Sequence, residues 1–237
     1  MSRNLIAVFF YNNKNTVRSV LSGLKRLDEK NCTFLLINDA SVDNTFFEIH
    51  KYKNNITNCV FINNPVNRGF GRNYKFSIEH SIKNKFDKLI FFHGDNQYPL
   101  NKINLLIDKL NKHDLCYGSR FLNVKSVKNN MPKSRYIANQ LLTYYLNFLF
   151  KKKATEYFSG FRGLKVKSLI NINLKKLSNF FDIEQQIHFI FIKKKKHIAE
   201  FSIPTRYYAR SSSIPPFKYC LKIIITALYF AFFFKNY

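Results

Sequence analysis

His93, Asp95 and Gln97 stand at alternate positions in the segment His93-Gly94-Asp95-Asn96-Gln97-Tyr98-Pro99, directly behind an apolar run. In an extended chain, alternate side chains face one side, which would bring imidazole, carboxylate and amide to one point. Carboxylate and amide oxygens suit Mg2+ or Mn2+, and a neutral imidazole favours Mn2+ over Mg2+. A cation held there would act as a Lewis acid on a departing diphosphate. One carboxylate behind a strand is also ordinary turn chemistry, so the segment takes its meaning from two others. In Asn38-Asp39-Ala40-Ser41-Val42-Asp43, Asp39 can accept hydrogen bonds from a base or ribose, while Asp43 suits a helix cap. In Asn67-Arg68-Gly69-Phe70-Gly71, the glycines permit close backbone approach to a phosphate or base at a helix start.

These segments need a scaffold, and the hydrophobic pattern supplies one. Leu5–Tyr11 reads as a buried parallel strand, and Phe34–Ile37, Cys59–Asn63 and Lys88–Phe92 as the second, third and fourth strands. Helical patterns fill the intervals, near residues 15–29, 43–52 and 69–83. Such alternation predicts an α/β fold with a parallel sheet wrapped by helices. Ligands then bind outside the carboxyl ends of the strands, where Asn12, Asn13, Asp39 and Asp95 fall. The second half is less regular. Leu115–Tyr117 reads as a strand leading into Gly118-Ser119-Arg120, and Phe180–Glu184 opens a helix with Asp182 as its cap.

Lys and Arg outnumber Asp and Glu by 39 to 14 in 237 residues, a net charge of +25 that attracts polyanions. No helix-turn-helix, zinc-ligand spacing or RNA-binding aromatic signature accompanies it, which excludes a nucleic-acid module. Anionic lipid is the better match, because two apolar segments are bounded by basic residues. Ile137–Phe150 carries a narrow polar stripe of Asn139, Gln140, Thr143 and Asn147, with Arg135 and Lys151–Lys153 at its flanks. Its length is roughly 21 Å, short of the roughly 30 Å of a bilayer core. A helix lying in the interface over about residues 135–150 is therefore expected. Ile223–Phe234 is almost wholly apolar between Lys222 and Lys235, and reads as interfacial or inserted. The four cysteines lack paired metal spacing and suit a reducing compartment. The expected organisation is a catalytic domain over residues 1–212 and an apolar membrane-associated tail over 213–237, on the cytoplasmic face of a membrane.

In order along the chain, IAVFFYNN, INDASVDNT, NRGFGRNY, HGDNQYP, YGSRF and SGFRGLK resemble the family-2 glycosyltransferases with the glycosyltransferase A fold. The resemblance spans roughly residues 4–210. Its GSR and SGFR elements point to the branch of dolichyl-phosphate mannose synthase and the bacterial polyprenyl-phosphate sugar synthases. It implies a Rossmann-like, mostly parallel sheet with C-terminal membrane-associated helices. It also implies nucleotide-sugar contacts from Tyr11, Asn13, Asp39, Gly69, Gly71 and Asp95. Asp95, Gln97 and His93 would hold Mg2+ or Mn2+ at the diphosphate, and Ser119, Arg120, Arg135, Arg206, Arg210 and Ser213 would hold the acceptor phosphate. Asp95 and Arg120 are the residues expected to carry catalysis.

The chain departs from the family pattern at His93, Asn13 and Asn38, where acids are usual, and at Glu156, where Asp is common. Three negative charges are thereby lost near the donor. The implied reaction is an inverting, metal-assisted sugar transfer to a polyprenyl phosphate in cell-envelope glycan synthesis. The alternatives are transfer to a hydroxyl of a cell-surface glycan or lipid-linked saccharide, with Asp182 or Glu184 as base, and a catalytically silent donor-binding member.

Overall fold

The structure, a computed structural model, describes residues 3–27, 31–123, 127, 131–204 and 216–234, side chains of 216–218 excepted. Seven strands form one sheet: β1 (Asn4–Phe10), β2 (Cys32–Asn38), β3 (Cys59–Asn63), β4 (Lys88–His93), β5 (Leu115–Ser119), β6 (Arg162–Lys165) and β7 (Ile198–Ser202). Their order across the sheet is β3-β2-β1-β4-β6-β5-β7. Only β6 runs against its neighbours, β4 and β5. The other pairings are parallel. The helices are α1 (Val17–Leu24), α2 (Thr45–Lys53), α3 (Phe70–Lys83), α4 (Ile103–Lys109), α5 (Lys133–Phe150), α6 (Ile183–Lys193) and α7 (Pro216–Leu228), the last followed by a π-turn at Tyr229–Phe233.

The period of two along each strand builds the two cores. Ile6, Val8, Phe10, Phe34, Leu36, Ile90 and Phe92 face the layer of α1, α2 and α4. Leu5, Ala7, Leu35, Ile37, Leu89 and Phe91 face the layer of α3, α5, α6 and α7. Burial on both faces is what makes the first strands read as unbroken apolar runs. Cys32, Cys59 and Cys116 lie in strands as free thiols, and Cys220 is likewise free in α7.

The chain after Leu115 holds the differences from expectation. β6 and β7 are absent from the sequence-based reading, because Arg162–Lys165 and Ile198–Ser202 are short and carry charged or small residues. The segment behind β4 is not extended. It turns, with Asn96 at φ +59°, so the alternation argument for His93, Asp95 and Gln97 does not hold. The apolar tail is no detached appendage, since Ile223, Ala227, Phe230 and Phe234 are buried in the core under α6. The expected boundary at 212/213 lies outside the described residues. No helix among the described residues is long and apolar enough to cross a membrane.

Candidate active site

Register alone brings the site together. Phe10 pairs with Asn38 and Phe9 with His93, so Tyr11, Asp39 and the turn behind His93 leave the sheet at one level. Each crossing of that edge is tied to the next by polar side chains. Asn12 donates its N–H to the Ser41 hydroxyl (3.0 Å) and accepts from Val42 N–H (2.9 Å). Thr45 accepts from Asn13 N–H at 2.7 Å, and the Asn13 carbonyl of its side chain accepts from Tyr11 N–H at 2.9 Å. The Thr16 hydroxyl donates to the Gly94 carbonyl (2.5 Å), joining the β1 loop to the β4 turn. Tyr11 itself is half-exposed at this rim.

Asp39 is buried, and both of its oxygens are engaged. Oδ1 accepts from Arg68 N–H and Asn64 Nδ2, each at 2.8 Å, and Oδ2 accepts from Gly69 N–H at 2.9 Å. The carboxylate therefore sits as the anion at the start of α3, where unpaired N–H groups favour negative charge. Asn64 extends the network to Asn73 at 2.9 Å. Gly69 needs its glycine, because its φ is +82°. The space beside Gly71 is taken by the protein itself: a Cβ there would lie 2.3 Å from the Asn179 carbonyl carbon. Gly71 thus serves close approach between two segments of this chain, and Gly69 the positive-φ turn that opens α3.

Asp95 and Gln97 are half-buried on the turn, with Gln97 N–H donating to Asp95 Oδ1 at 3.1 Å. They offer hard oxygen donors, which fit Mg2+ or Mn2+. His93 differs. Its Nε2 is enclosed without a hydrogen-bond partner, and a Cβ on Gly160 would lie 2.8 Å from it. Its ring packs edge-on to Phe70 and Tyr98, at 5.6 and 5.3 Å between centroids. Among the described residues no group of three His, Cys, Asp or Glu side chains could hold a metal.

Gly160 belongs to a strap over the site, Tyr157–Phe161, whose Gly160 N–H donates to the Tyr98 hydroxyl at 2.9 Å. Arg162 fixes the strap from beneath. Fully buried, it donates to the carbonyls of Ser159 (2.6 and 3.1 Å), Tyr157 (3.2 Å) and Glu184 (2.9 Å). Its Nε lies 3.5 Å from Glu184 Oε1. Burial pushes the Glu184 carboxyl up, and Arg162 and His93 pull it back. Sequence reasoning recognised this segment only by resemblance; a buried arginine reads no differently from a surface one.

On the acceptor side, Ser119 is buried and shares its hydroxyl with Thr155 at 2.6 Å, so it does not reach the site surface. Arg120 is buried against Glu156. Its N–H donates to Oε2 at 2.8 Å and its Nε to Oε1 at 2.8 Å, with Nη2 on the same oxygen. Glu156 therefore holds the fork with one edge occupied. Arg135 lies half-buried in the first turn of α5, beside Tyr136, whose ring packs on Phe121 at 5.6 Å. A hollow of about 270 Å³ opens there, lined by Phe121, Tyr136, Gln140, Thr143 and Tyr144 among others. Arg206, Arg210 and Ser213 lie outside the described residues. Asp182 is buried, accepting from Ser178 (2.6 Å), Gln186 (2.9 Å) and Lys222 (2.8 Å). Of the carboxylates of Asp39, Asp95, Glu156, Asp182 and Glu184, only that of Asp95 is not buried.

Residues 5–172 match the family described as Glycosyl transferase family 2. Solved structures share the fold. Glucosyl-3-phosphoglycerate synthase from Mycobacterium tuberculosis, in complex with Mn2+, UDP and glucosyl-3-phosphoglycerate, superposes with a TM-score of 0.73 at 14% identity, over 97% of this chain and 80% of that one. The same enzyme with Mn2+, UDP-glucose and phosphoglyceric acid gives 0.72 at 13% identity, with the same coverage of 97% and 80%. No curated protein matches this chain.

Proposed function

Because the chain belongs to glycosyl transferase family 2, we propose that it moves a sugar from a nucleotide-sugar donor to the phosphate of a polyprenyl-type lipid. That it is a glycosyltransferase using a nucleotide sugar follows from the family. The acceptor is our reading. It is carried by one observation: Asp39, Glu156, Asp182 and Glu184 are all buried and engaged by neighbours, so of the five candidate carboxylates only Asp95, which the metal takes in this reading, is open to a hydroxyl. A phosphate needs no such base. Its oxygen attacks the anomeric carbon while the bond to the nucleoside diphosphate breaks, the leaving group departs with the bonding pair, and the configuration inverts.

In this reading Tyr11 and Asn13 flank the base, with Asp39 shaping the loop around it. Asp95 and Gln97 would hold Mg2+ or Mn2+, which neutralises the charge gathering on the departing diphosphate. The solved relative's complexes with Mn2+ and UDP support the cofactor. Arg120, set by Glu156, and Arg135 would orient the acceptor phosphate, a task suited to guanidinium forks. The tail and α5 would keep the enzyme at the membrane.

The test is transfer from radiolabelled nucleotide sugars to polyprenyl phosphate, beside a hydroxyl-bearing saccharide acceptor. Label should enter the organic phase, and Asp95→Asn should lower the rate about 10²–10³-fold, as loss of one preorganised electrostatic contact does. Transfer to the saccharide alone would replace the phosphate reading with the hydroxyl one.

A further inference from the structure

α5 is apolar on its outer face as well as its inner one. Its polar stripe faces the protein: Thr143 is buried, and Asn147 bonds the backbone of Ala154 through both amide atoms (2.8 and 3.0 Å) and accepts from the Tyr157 hydroxyl at 3.0 Å. Leu142, Leu146 and Phe150 are buried beside that stripe, yet a second apolar line faces outward, with Ile137 exposed by 56%, Leu141 by 65%, Tyr144 by 76% and Phe148 by 79%. Spacings of four, three and four place these on one line along the helix. α7, which packs beside α5, repeats the device. Ile223, Ala227 and Phe230 point inward, while Leu221, Ile225, Leu228 and Phe232 are exposed at the same spacing, and Phe233 is exposed beside them. Two adjacent lines of large apolar side chains make a continuous face that a soluble monomer rarely shows.

Charge decides what covers it. Neither α5, with the Lys151–Lys153 run behind it, nor 216–234 contains a single Asp or Glu. Lys133 and Lys151–Lys153 are exposed at the two ends of α5, and Lys193–Lys195 are exposed at the end of α6, next to the tail. A second copy would bring another +25 against this face, which opposes self-association. A bilayer with anionic headgroups matches both the apolar lines and the basic rim. No helix among the described residues is long and apolar enough to cross it.

We infer that α5 and α7 together form a platform that lies in the surface of an anionic membrane without spanning it. This deepens the lipid-acceptor reading and rests on it. Tyr136, in the first turn of α5, packs on Phe121, the neighbour of Arg120. The platform thus begins where the acceptor arginines stand, so a lipid phosphate meets them at headgroup level.

The experiment is flotation of the full chain with vesicles of phosphatidylcholine alone and of phosphatidylcholine with an equal share of phosphatidylglycerol. Binding to the anionic vesicles is expected. Leu141→Glu with Phe148→Glu should reduce it at least about tenfold, with an unchanged melting temperature because both residues are exposed. Lys151→Glu, Lys152→Glu and Lys153→Glu together should remove the preference for anionic vesicles while leaving the apolar face intact. Light scattering on the vesicle-free protein tests the rival occupant: a dimer that Phe148→Glu converts to monomer, together with no vesicle binding, overturns the platform. Equal binding of the Leu141→Glu, Phe148→Glu variant overturns it too. Donor turnover with a short-chain, water-soluble prenyl phosphate is read in parallel. Turnover without vesicle binding sinks the platform alone, and vesicle binding without turnover on any prenyl phosphate sinks the acceptor reading alone.

Discussion

The two sides of the sheet's active edge are held by different chemistry. Around β1, β2 and the start of α3, the loops are tied by amides, hydroxyls and backbone groups: Asn12 to Ser41 and Val42, Asn38 to Asn63 and Ser41, Asn64 to Asp39 and Asn73. Asp39 is the one buried carboxylate there, satisfied by N–H donors rather than by a cation. Around β5, β6 and α6, buried acids meet buried or half-buried bases: Arg120 with Glu156, Arg162 with Glu184, Lys222 with Asp182. An amide network degrades piecemeal, since each loss leaves one donor or acceptor that water can partly satisfy. A buried ion pair fails at once, because removing one partner strands a charge in low dielectric. The side proposed for the donor is therefore shaped by many small terms, and the side proposed for the acceptor by a few large ones.

The sharpest break of that comparison would come from Arg162→Met. Glu184 would lose its counter-charge and the strap carbonyls of Tyr157 and Ser159 their donors, at about 3–5 kcal/mol of stability. Urea unfolding measures it. Glu184→Leu in the same background should restore a good part, since the stranded carboxylate is then gone. A single-variant loss under about 1 kcal/mol would show the acceptor side to be no different from the donor side.

Asp39→Asn probes the donor side at smaller scale. Its NH2 would confront an N–H of Arg68 or Gly69, so one hydrogen bond becomes a clash of donors. The expected loss is about 1–3 kcal/mol, with a raised KM for the nucleotide sugar as the 64–69 loop loosens. A loss as large as that of Arg162→Met would mean the donor side too hangs on one group.

The same contrast explains what could be read from the residues beforehand. β1, β2 and β4 announce themselves, because burial on both faces demands long runs such as Leu5–Phe10, and β3, though a partly exposed edge strand, is read to the residue from its own short apolar run. β6 escapes notice because its residues, Arg162 to Lys165, are held by neighbours on both sides rather than by their own apolar content. Asp39 and Asp95 stand out by their position behind strands, and Arg120 by resemblance alone. Their partners do not, since nothing marks Asn64 or Asn73 in so asparagine-rich a chain, and Glu156 and Glu184 matter through contacts distant in sequence. Asn38 shows a departure from the family pattern making structural sense: it donates to Asn63 Oδ1 at 2.7 Å while accepting from Ser41 at 2.5 Å, and a carboxylate there could do only the second.

The smallest effect belongs to His188, buried between Tyr117 and Tyr157 at 5.3 and 4.9 Å, with Nδ1 lacking a hydrogen-bond partner. Burial holds this imidazole well below its ordinary range, and the Arg162 charge adds to the effect. The folded protein thus keeps His188 neutral where the unfolded chain protonates it. Below about pH 6.5 the unfolded state binds the extra proton, so stability falls with falling pH by about 1.4 kcal/mol per unit from this group. Above that pH the contribution is fully present. His188→Phe keeps the aromatic packing and removes the proton, so unfolding free energies between about pH 6.5 and 5 should flatten by that slope. Carboxylate titration enters mainly at lower pH and leaves this window readable. If the slope stays unchanged in the variant, His188 is charged in the fold, and the acceptor-side core holds a buried cation without a carboxylate beside it. That outcome would undo the pairing rule on which the contrast between the two sides depends.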